Sequence, residues 1–142
     1  MGRNAVALAR HGLAVTVVDV SPVALEQVRA AAAGGGLAID TRCVDLERER
    51  LPAGPWDVIV DFHYLSRPLF PQIVAALAPG GALLFVQPTV ANLERHEHPG
   101  RDYLLAPGEA ASLVAPLGVE ISREGWSAEG RHEAEILAWA RL

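Results

Sequence analysis

The sequence contains a single cysteine and no long hydrophobic run, and both shortages exclude classes of protein. With Cys43 alone, the chain can form no internal disulfide and no thiolate metal cluster, which fits a reducing cytoplasm. The apolar stretch at residues 13–20 is too short to cross a bilayer and contains Asp19, so it predicts neither a signal peptide nor a membrane anchor. We therefore expect a cytoplasmic protein that has no membrane partner.

Basic clusters are missing as well. The formal net charge is −5 and the chain has no run of lysine or arginine, so binding to a nucleic-acid backbone is not expected. The chain has 142 residues, of which 51% are hydrophobic, and this is enough for one core. We expect residues 1–142 to form a single domain.

What is present is an alternation of predicted helices and strands. Gly12 suits the left-handed cap that ends a first helix, and Ser21 followed by Pro22 is typical of the beginning of a second. Apolar or β-branched runs between turns predict the strands. The predicted helices cover residues 3–11, 22–33, 68–77 and 107–115, and the predicted strands cover 14–18, 37–44, 57–62, 82–86, 119–124 and 133–141.

This order of elements predicts an α/β fold. We expect a doubly wound, Rossmann-like and mostly parallel sheet that ends in an antiparallel pair, with ligands bound beyond the carboxyl ends of the strands. Residues 78–81 are predicted to end a helix as a turn, and 87–106 to form a loop whose most exposed part is 92–101.

Two acidic residues follow predicted strands and could bind a nucleoside. Asp19 can accept hydrogen bonds from both ribose hydroxyls of an adenosine cofactor, although it would also suit the turn into the next helix. Asp45 can accept from the amine of adenine while Leu46 contacts the ring, although a lone aspartate at that place is more often part of a turn.

The N-terminal segment could bind an anionic group. Gly2 lets the backbone approach a ligand closely, and the beginning of the helix after it favours negative charge. Arg3 and Asn4 either add hydrogen-bond donors or are simply exposed.

A metal site is a further hypothesis for His96-Glu97-His98, with His63 or His132 as additional ligands. The spacing is not that of a zinc site on a helix, and adjacent polar residues in a loop with proline and glycine are usually solvated. We expect no metal.

Several segments are informative together because of their order: Gly2-Arg3-Asn4-Ala5, Val17-Val18-Asp19-Val20-Ser21-Pro22, Asp45-Leu46, Trp56-Asp57-Val58-Ile59-Val60 and Leu77-Ala78-Pro79-Gly80-Gly81. This set resembles the class I S-adenosylmethionine-dependent methyltransferases. Leu104-Leu105-Ala106-Pro107-Gly108-Glu109 is similar to the segment before the last helix of their small tellurite-resistance-like branch.

The resemblance implies a seven-stranded sheet, S-adenosylmethionine as cofactor, and methyl transfer to a small-molecule acceptor. It also implies that the cofactor contacts are Gly2, Arg3, Asn4, Asp19, Val20, Asp45, Leu46, Asp61 and Phe62. Within this set, Asp19 would bind the ribose, Asp45 the adenine, and Gly2 with Arg3 the methionine moiety. His63 and Tyr64 would line the substrate cleft as candidates to bind or deprotonate the acceptor, with plain packing as the alternative.

Members of that family have a central first strand and a glycine-containing turn before the position of Gly2, and we interpret this sequence as N-terminally truncated. Three explanations stay open: a start placed too far downstream, a remnant that pairs its second and fourth strands or borrows a strand from a partner through exposed sheet edges, as in a homo-oligomer, or a relative that has lost its cofactor site. One alternative function is a non-catalytic pseudo-methyltransferase that serves as an interaction domain. A less favoured one is an NAD-dependent oxidoreductase, because an acidic residue after the second strand is common to both cofactor classes.

Overall fold

A computed structural model of the chain describes residues 2–142, so Met1 lies outside the described residues. Contacts divide the chain into two compact units, the first ending at Leu51 and the second spanning Pro52–Leu142. Each unit has its own sheet, with two strands in the first and four in the second. Six strands are thus present in residues 2–142, where the resemblance implies seven. That residues 1–142 act as one domain stays a prediction.

The first unit consists of two helices and a parallel strand pair. Its elements are α1 (Arg3–Arg10), β1 (Val15–Asp19), α2 (Pro22–Gly34) and β2 (Ile39–Cys43). The predicted cap of α2 is confirmed, because Ser21 Oγ accepts a hydrogen bond from the Ala24 N–H at 3.2 Å. Leu25 and Val28 are buried one turn apart and form the inner side of this helix.

The second unit contains a mixed four-stranded sheet in the order β3-β4-β6-β5. Its elements are β3 (Trp56–Phe62), α3 (Phe70–Ala76), β4 (Leu77–Pro88), α4 (Glu109–Leu113), β5 (Gly118–Trp126) and β6 (His132–Trp139), with 3-10 helices at Arg67–Leu69, Val90–Glu94 and Arg101–Tyr103. The β3 and β4 strands are parallel, whereas β6 is antiparallel to both β4 and β5. The predicted α/β fold with a closing antiparallel pair is confirmed.

The core of the second unit lies on one face of β4. Leu83 and Phe85 are completely buried, and the Phe85 ring meets the Phe70 ring edge-on at a centroid distance of 4.9 Å. This contact fixes α3 against the sheet, because edge-to-face aromatic pairs add to the stability gained from burial.

The predicted turn at residues 78–81 lies inside β4 instead of ahead of it. Between the pairs Trp56↔Leu77 and Val58↔Ala82, β4 advances by five residues while β3 advances by two. The extra residues form an irregular bulge that contains Gly80 in the left-handed region, with φ 73°. Proline and glycine therefore correctly mark a departure from regular pairing, but the predicted boundary is wrong because the strand pairs on both sides of it.

The segment predicted to be the most exposed part of a loop contains a buried residue. Asn92 is only 2% exposed, so the prediction is wrong at this position. Its side chain bonds to backbone groups of Thr89 and His132, contacts that make its burial favourable.

Arg67 ties the segment after β4 to the beginning of α3. Its guanidinium donates to both carboxylate oxygens of Glu109, at 2.5 and 3.0 Å, and to the carbonyls of Asp102 and Leu104, at 3.1 Å each. The hydrogen bond to Glu109 raises the pKa of Arg67, and the bond from Arg67 lowers the pKa of Glu109. All four bonds connect parts of the chain that are distant in sequence.

We expect Arg67→Met to lower the free energy of unfolding by about 1 to 2 kcal/mol at pH 7, because the pair is partly exposed and screened by solvent. The depressed pKa of Glu109 means that the part of this stabilisation due to the Glu109 carboxylate is present above its ordinary value of 4.5 and is lost as the pH falls through the lower folded value. Urea unfolding followed by tryptophan fluorescence measures it, since all three tryptophans lie in the second unit. Arg123→Met, on the exposed part of β5, is the control. Equal losses for the two variants, or a loss as large at acidic pH as at pH 7, would contradict the expectation.

Candidate functional site

Gly2 occupies a position that only glycine fits. Its φ of 76° is left-handed, and a Cβ there would lie 2.8 Å from Val28 Cγ2. The helix after it begins without a side-chain cap, so the first N–H groups of α1 are free of such a bond. Arg3 and Asn4 are exposed in this first turn. The segment therefore offers backbone and side-chain donors, as the sequence predicts for an anionic group.

Asp19 stands at the carboxyl end of β1, and its two carboxylate oxygens differ. Oδ1 accepts from the Ser21 N–H at 2.8 Å, which is the turn interaction that the sequence offers as an alternative role. Oδ2 accepts no hydrogen bond within the described part of the chain, residues 2–142. The neighbouring Val20 is 61% exposed. One oxygen thus shapes the beginning of α2 while the other is left for a ligand.

Asp45 lies at the same edge of the first unit as Asp19. The Val44 N–H donates to the Asp19 carbonyl at 3.0 Å, and this bond carries the parallel pairing to the residue before Asp45. The Asp45 carboxylate is already used by its own turn: Oδ1 accepts from the Glu47 N–H at 3.1 Å, and Oδ2 lies 3.5 Å from Nε of Arg48. Leu46 beside it is half-buried.

The end of β3 carries a buried carboxyl group. Oδ2 of Asp61 is buried and has no hydrogen-bond partner among residues 2–142. Burial raises the pKa of Asp61 from 3.8 to about 7, and a hydrogen bond from the Tyr64 backbone lowers it in part. Asp61 therefore carries a proton in a large fraction of molecules at neutral pH. Phe62, which follows it, is 37% exposed.

His63 comes directly after β3 in an unusual backbone conformation. Its φ is 64°, and its N–H donates to the Val86 carbonyl at 2.8 Å, which fixes it beside β4. Its Nε2 lies 2.8 Å from Oε1 of Glu133, the second residue of β6. Asp61, His63 and Tyr64 thus lie in one short segment, whereas Glu133 joins them from a distant part of the sequence.

Glu133 has no counterpart among the residues predicted to form the site. Only 9% of it is exposed, and its Oε1 also lies 3.2 Å from Nε of Arg131. Alternation along β6 puts Glu133 and Glu135 on one face, yet Glu135 is exposed. No local pattern in the sequence distinguishes these two glutamates, because the difference arises from contacts with His63 and Arg131.

Metal binding and membrane insertion are two other functions on which the structure bears. Across residues 2–142, no group of three or more His, Cys, Asp or Glu side chains is arranged to hold a metal ion. His96 contacts the Gly130 carbonyl through Nε2 at 2.8 Å. None of the helices described in this range is long and apolar enough to cross a membrane.

Comparison with known proteins gives a family and a fold. The model of the family described as methyltransferase domain matches residues 1–81. No curated protein matches the sequence. TehB from Haemophilus influenzae has a similar structure, with a TM-score of 0.81 at 19% identity over 99% of this chain and 54% of TehB. This chain therefore spans about half the length of TehB.

Two further structures show the range of proteins that share this fold. NodS, an N-methyltransferase from Bradyrhizobium japonicum WM9 in complex with S-adenosyl-L-homocysteine, matches with a TM-score of 0.74 at 22% identity, over 99% of this chain and 74% of NodS. The [4+2]-cyclase SpnF matches with a TM-score of 0.76 at 18% identity, over 99% of this chain and 71% of SpnF. At such identities the likeness concerns the fold, because one fold can carry unrelated reactions.

Proposed function

Since this chain belongs to the methyltransferase domain family, we propose that it binds S-adenosylmethionine and takes part in methyl transfer to a small-molecule acceptor. When bound, the cofactor supplies a methyl group made electrophilic by the sulfonium sulfur. The proposed roles of the protein are to hold the cofactor, to orient the acceptor and to exclude water. The net charge of −5 and the lack of a basic run favour a small acceptor over a nucleic acid.

The observation that carries this proposal is Oδ2 of Asp19, which accepts no hydrogen bond within residues 2–142. A carboxylate oxygen without a partner at the end of a parallel strand is suited to accept from a ribose hydroxyl. The uncapped beginning of α1, with Gly2, Arg3 and Asn4, provides donors for the carboxylate of the methionine moiety. These features support cofactor binding by the first unit.

Asp45, Val20 and Leu46 are further proposed cofactor contacts in the first unit. Asp45 would bind the adenine amine in competition with its exposed partner Arg48, a weak pair that a ligand can displace. Val20 and Leu46 offer apolar surface at the same edge of the first unit. In the second unit, Asp61 and Phe62 are proposed cofactor contacts. His63 and Tyr64 are proposed to bind or deprotonate the acceptor.

We expect Asp19→Asn to weaken the binding of S-adenosyl-L-homocysteine by about ten- to a hundredfold, because a hydrogen bond to a charged acceptor is lost while Oδ1 can still accept from Ser21. Isothermal titration calorimetry on both proteins measures the difference. Asp40→Asn is the matched control, since Asp40 Oδ1 also accepts from a nearby N–H, that of Thr41, at 3.0 Å.

The same titration separates the competing functions. No binding of S-adenosylmethionine or S-adenosyl-L-homocysteine to the folded protein would refute the proposal and favour a pseudo-methyltransferase. Preferential binding of NADH would instead favour the oxidoreductase. Equal affinities of the Asp19 and Asp40 variants would remove Asp19 from the site.

A further inference from the structure

The His63 imidazole is held by a buried carboxylate that neither the sequence motifs nor the family model identifies. Nε2 of His63 lies 2.8 Å from Oε1 of Glu133, and the Glu133 side chain is 10% exposed while that of His63 is 42% exposed. The histidine therefore has one nitrogen beside an internal anion, although Oε1 of Glu133 accepts no hydrogen bond within residues 2–142, and much of the ring remains accessible to solvent.

The surrounding backbone holds both partners at one edge of the sheet. Phe62 pairs with Val86 on β4, and Glu133 pairs with Pro88 on the same strand. His63 and Glu133 thus reach each other around the carboxyl end of β4, which is the edge at which α/β sheets bind ligands. The left-handed φ of His63 is an unfavourable conformation for a histidine, and such residues concentrate at functional sites.

Building on the proposed methyl transfer, we propose that Glu133 is a positioning residue that acts through His63. The negative charge of Glu133, 2.8 Å from Nε2, favours a proton on that nitrogen and therefore the tautomer in which Nδ1 carries the lone pair. His63 Nδ1 is then the atom that receives a proton from the acceptor. Arg131 moderates this effect, since its Nε lies 3.2 Å from the same Glu133 oxygen.

The proposed step defines the class of acceptor. As the acceptor heteroatom forms its bond to the methyl carbon, the carbon–sulfur bonding pair passes to sulfur, and the proton released by the heteroatom goes to Nδ1. The acceptor must therefore bear an O–H, S–H or N–H at the atom that is methylated. An acceptor without such a hydrogen would not need His63.

Two measurements on the free protein test the assignment without any acceptor. Nitrogen-15 NMR of the neutral imidazole should find His63 with its proton on Nε2. Diethyl pyrocarbonate, followed by mass spectrometry, should acylate His63 about fivefold more slowly in Glu133→Gln, because the charged partner is lost. Glu135→Gln, an exposed glutamate on the same strand, should leave the rate unchanged, and Arg131→Gln should raise it.

Opposite effects of the Glu133 and Arg131 variants would support the proposal, because a purely structural role predicts no such opposition. A proton on Nδ1 in the unaltered protein, or equal rates for the Glu133 and Glu135 variants, would overturn it. Failure of the proposed function itself is detected separately, as a lack of cofactor binding in the titration of the Asp19 series.

Discussion

We expect Asp61→Asn to stabilise the protein far more at pH 8 than at pH 5. The ionised Asp61 carboxylate destabilises the folded state, because it is buried and its Oδ2 has no hydrogen-bond partner among residues 2–142. Asparagine has the same shape and can still accept from the Tyr64 backbone, but it has no charge to desolvate. The variant therefore removes a cost that grows with pH, because the folded carboxyl either takes up a proton that the unfolded chain has lost or is buried as an anion.

The sign follows from proton binding. Desolvation raises the pKa of Asp61 to about 7 in the folded state, against 3.8 for the ordinary group, so the folded protein binds more protons between these values. Stability therefore falls as the pH rises from about 4 toward 7, and the penalty is complete above the folded value. Between pH 5 and 8 the unaltered protein should lose about 3 kcal/mol relative to the variant.

Urea unfolding at pH 5 and pH 8, followed by tryptophan fluorescence, measures this difference. Asp57→Asn is the matched control, because Asp57 is an exposed aspartate at the beginning of the same strand. The effect of Asp57→Asn on the free energy of unfolding should be similar at pH 5 and pH 8. A constant difference between the Asp61 variant and the unaltered protein across this range would contradict the burial of the charged carboxyl.

Features determined by neighbouring residues could be read from the sequence. Ser21 caps α2, as predicted, because its partner N–H lies three residues away. The strand β1 is likewise predicted from a short β-branched run followed by a turn, although it extends one residue further, to Asp19. The sequence left open whether Asp19 serves the turn or a ligand, and the two carboxylate oxygens make these roles compatible.

Features determined by distant contacts could not be read in this way. Asp61 lies in a strand of the predicted kind, but its burial depends on the rest of the second unit. Glu133 and Glu135 occupy equivalent places in an alternating strand, yet only Glu133 meets His63, 70 positions earlier in the sequence. Pairing of this kind requires knowledge of which strands are neighbours, and a single sequence carries little of it.

The burial of Asn92 is also determined by distant contacts that the sequence does not predict, and it can be tested directly. It belongs to a polar segment that ends in proline and glycine, which is typical of an exposed loop. Its amide nevertheless donates to the carbonyls of Thr89, at 3.1 Å, and His132, while Oδ1 accepts from the His132 N–H at 3.2 Å. One side chain therefore joins the end of β4 to the beginning of β6.

We expect Asn92→Asp to lower the free energy of unfolding by about 3 kcal/mol at pH 7, because two donated hydrogen bonds are lost and a carboxylate is buried against carbonyl oxygens. The loss should be smaller at pH 5, where a buried carboxyl takes up a proton and can donate one bond again. Urea unfolding followed by tryptophan fluorescence measures both values. Ala128→Asp adds the same charge in the exposed turn between β5 and β6 and should change stability little. Equal stabilities of the two variants would contradict the burial of Asn92 and restore the exposed loop that the sequence predicts.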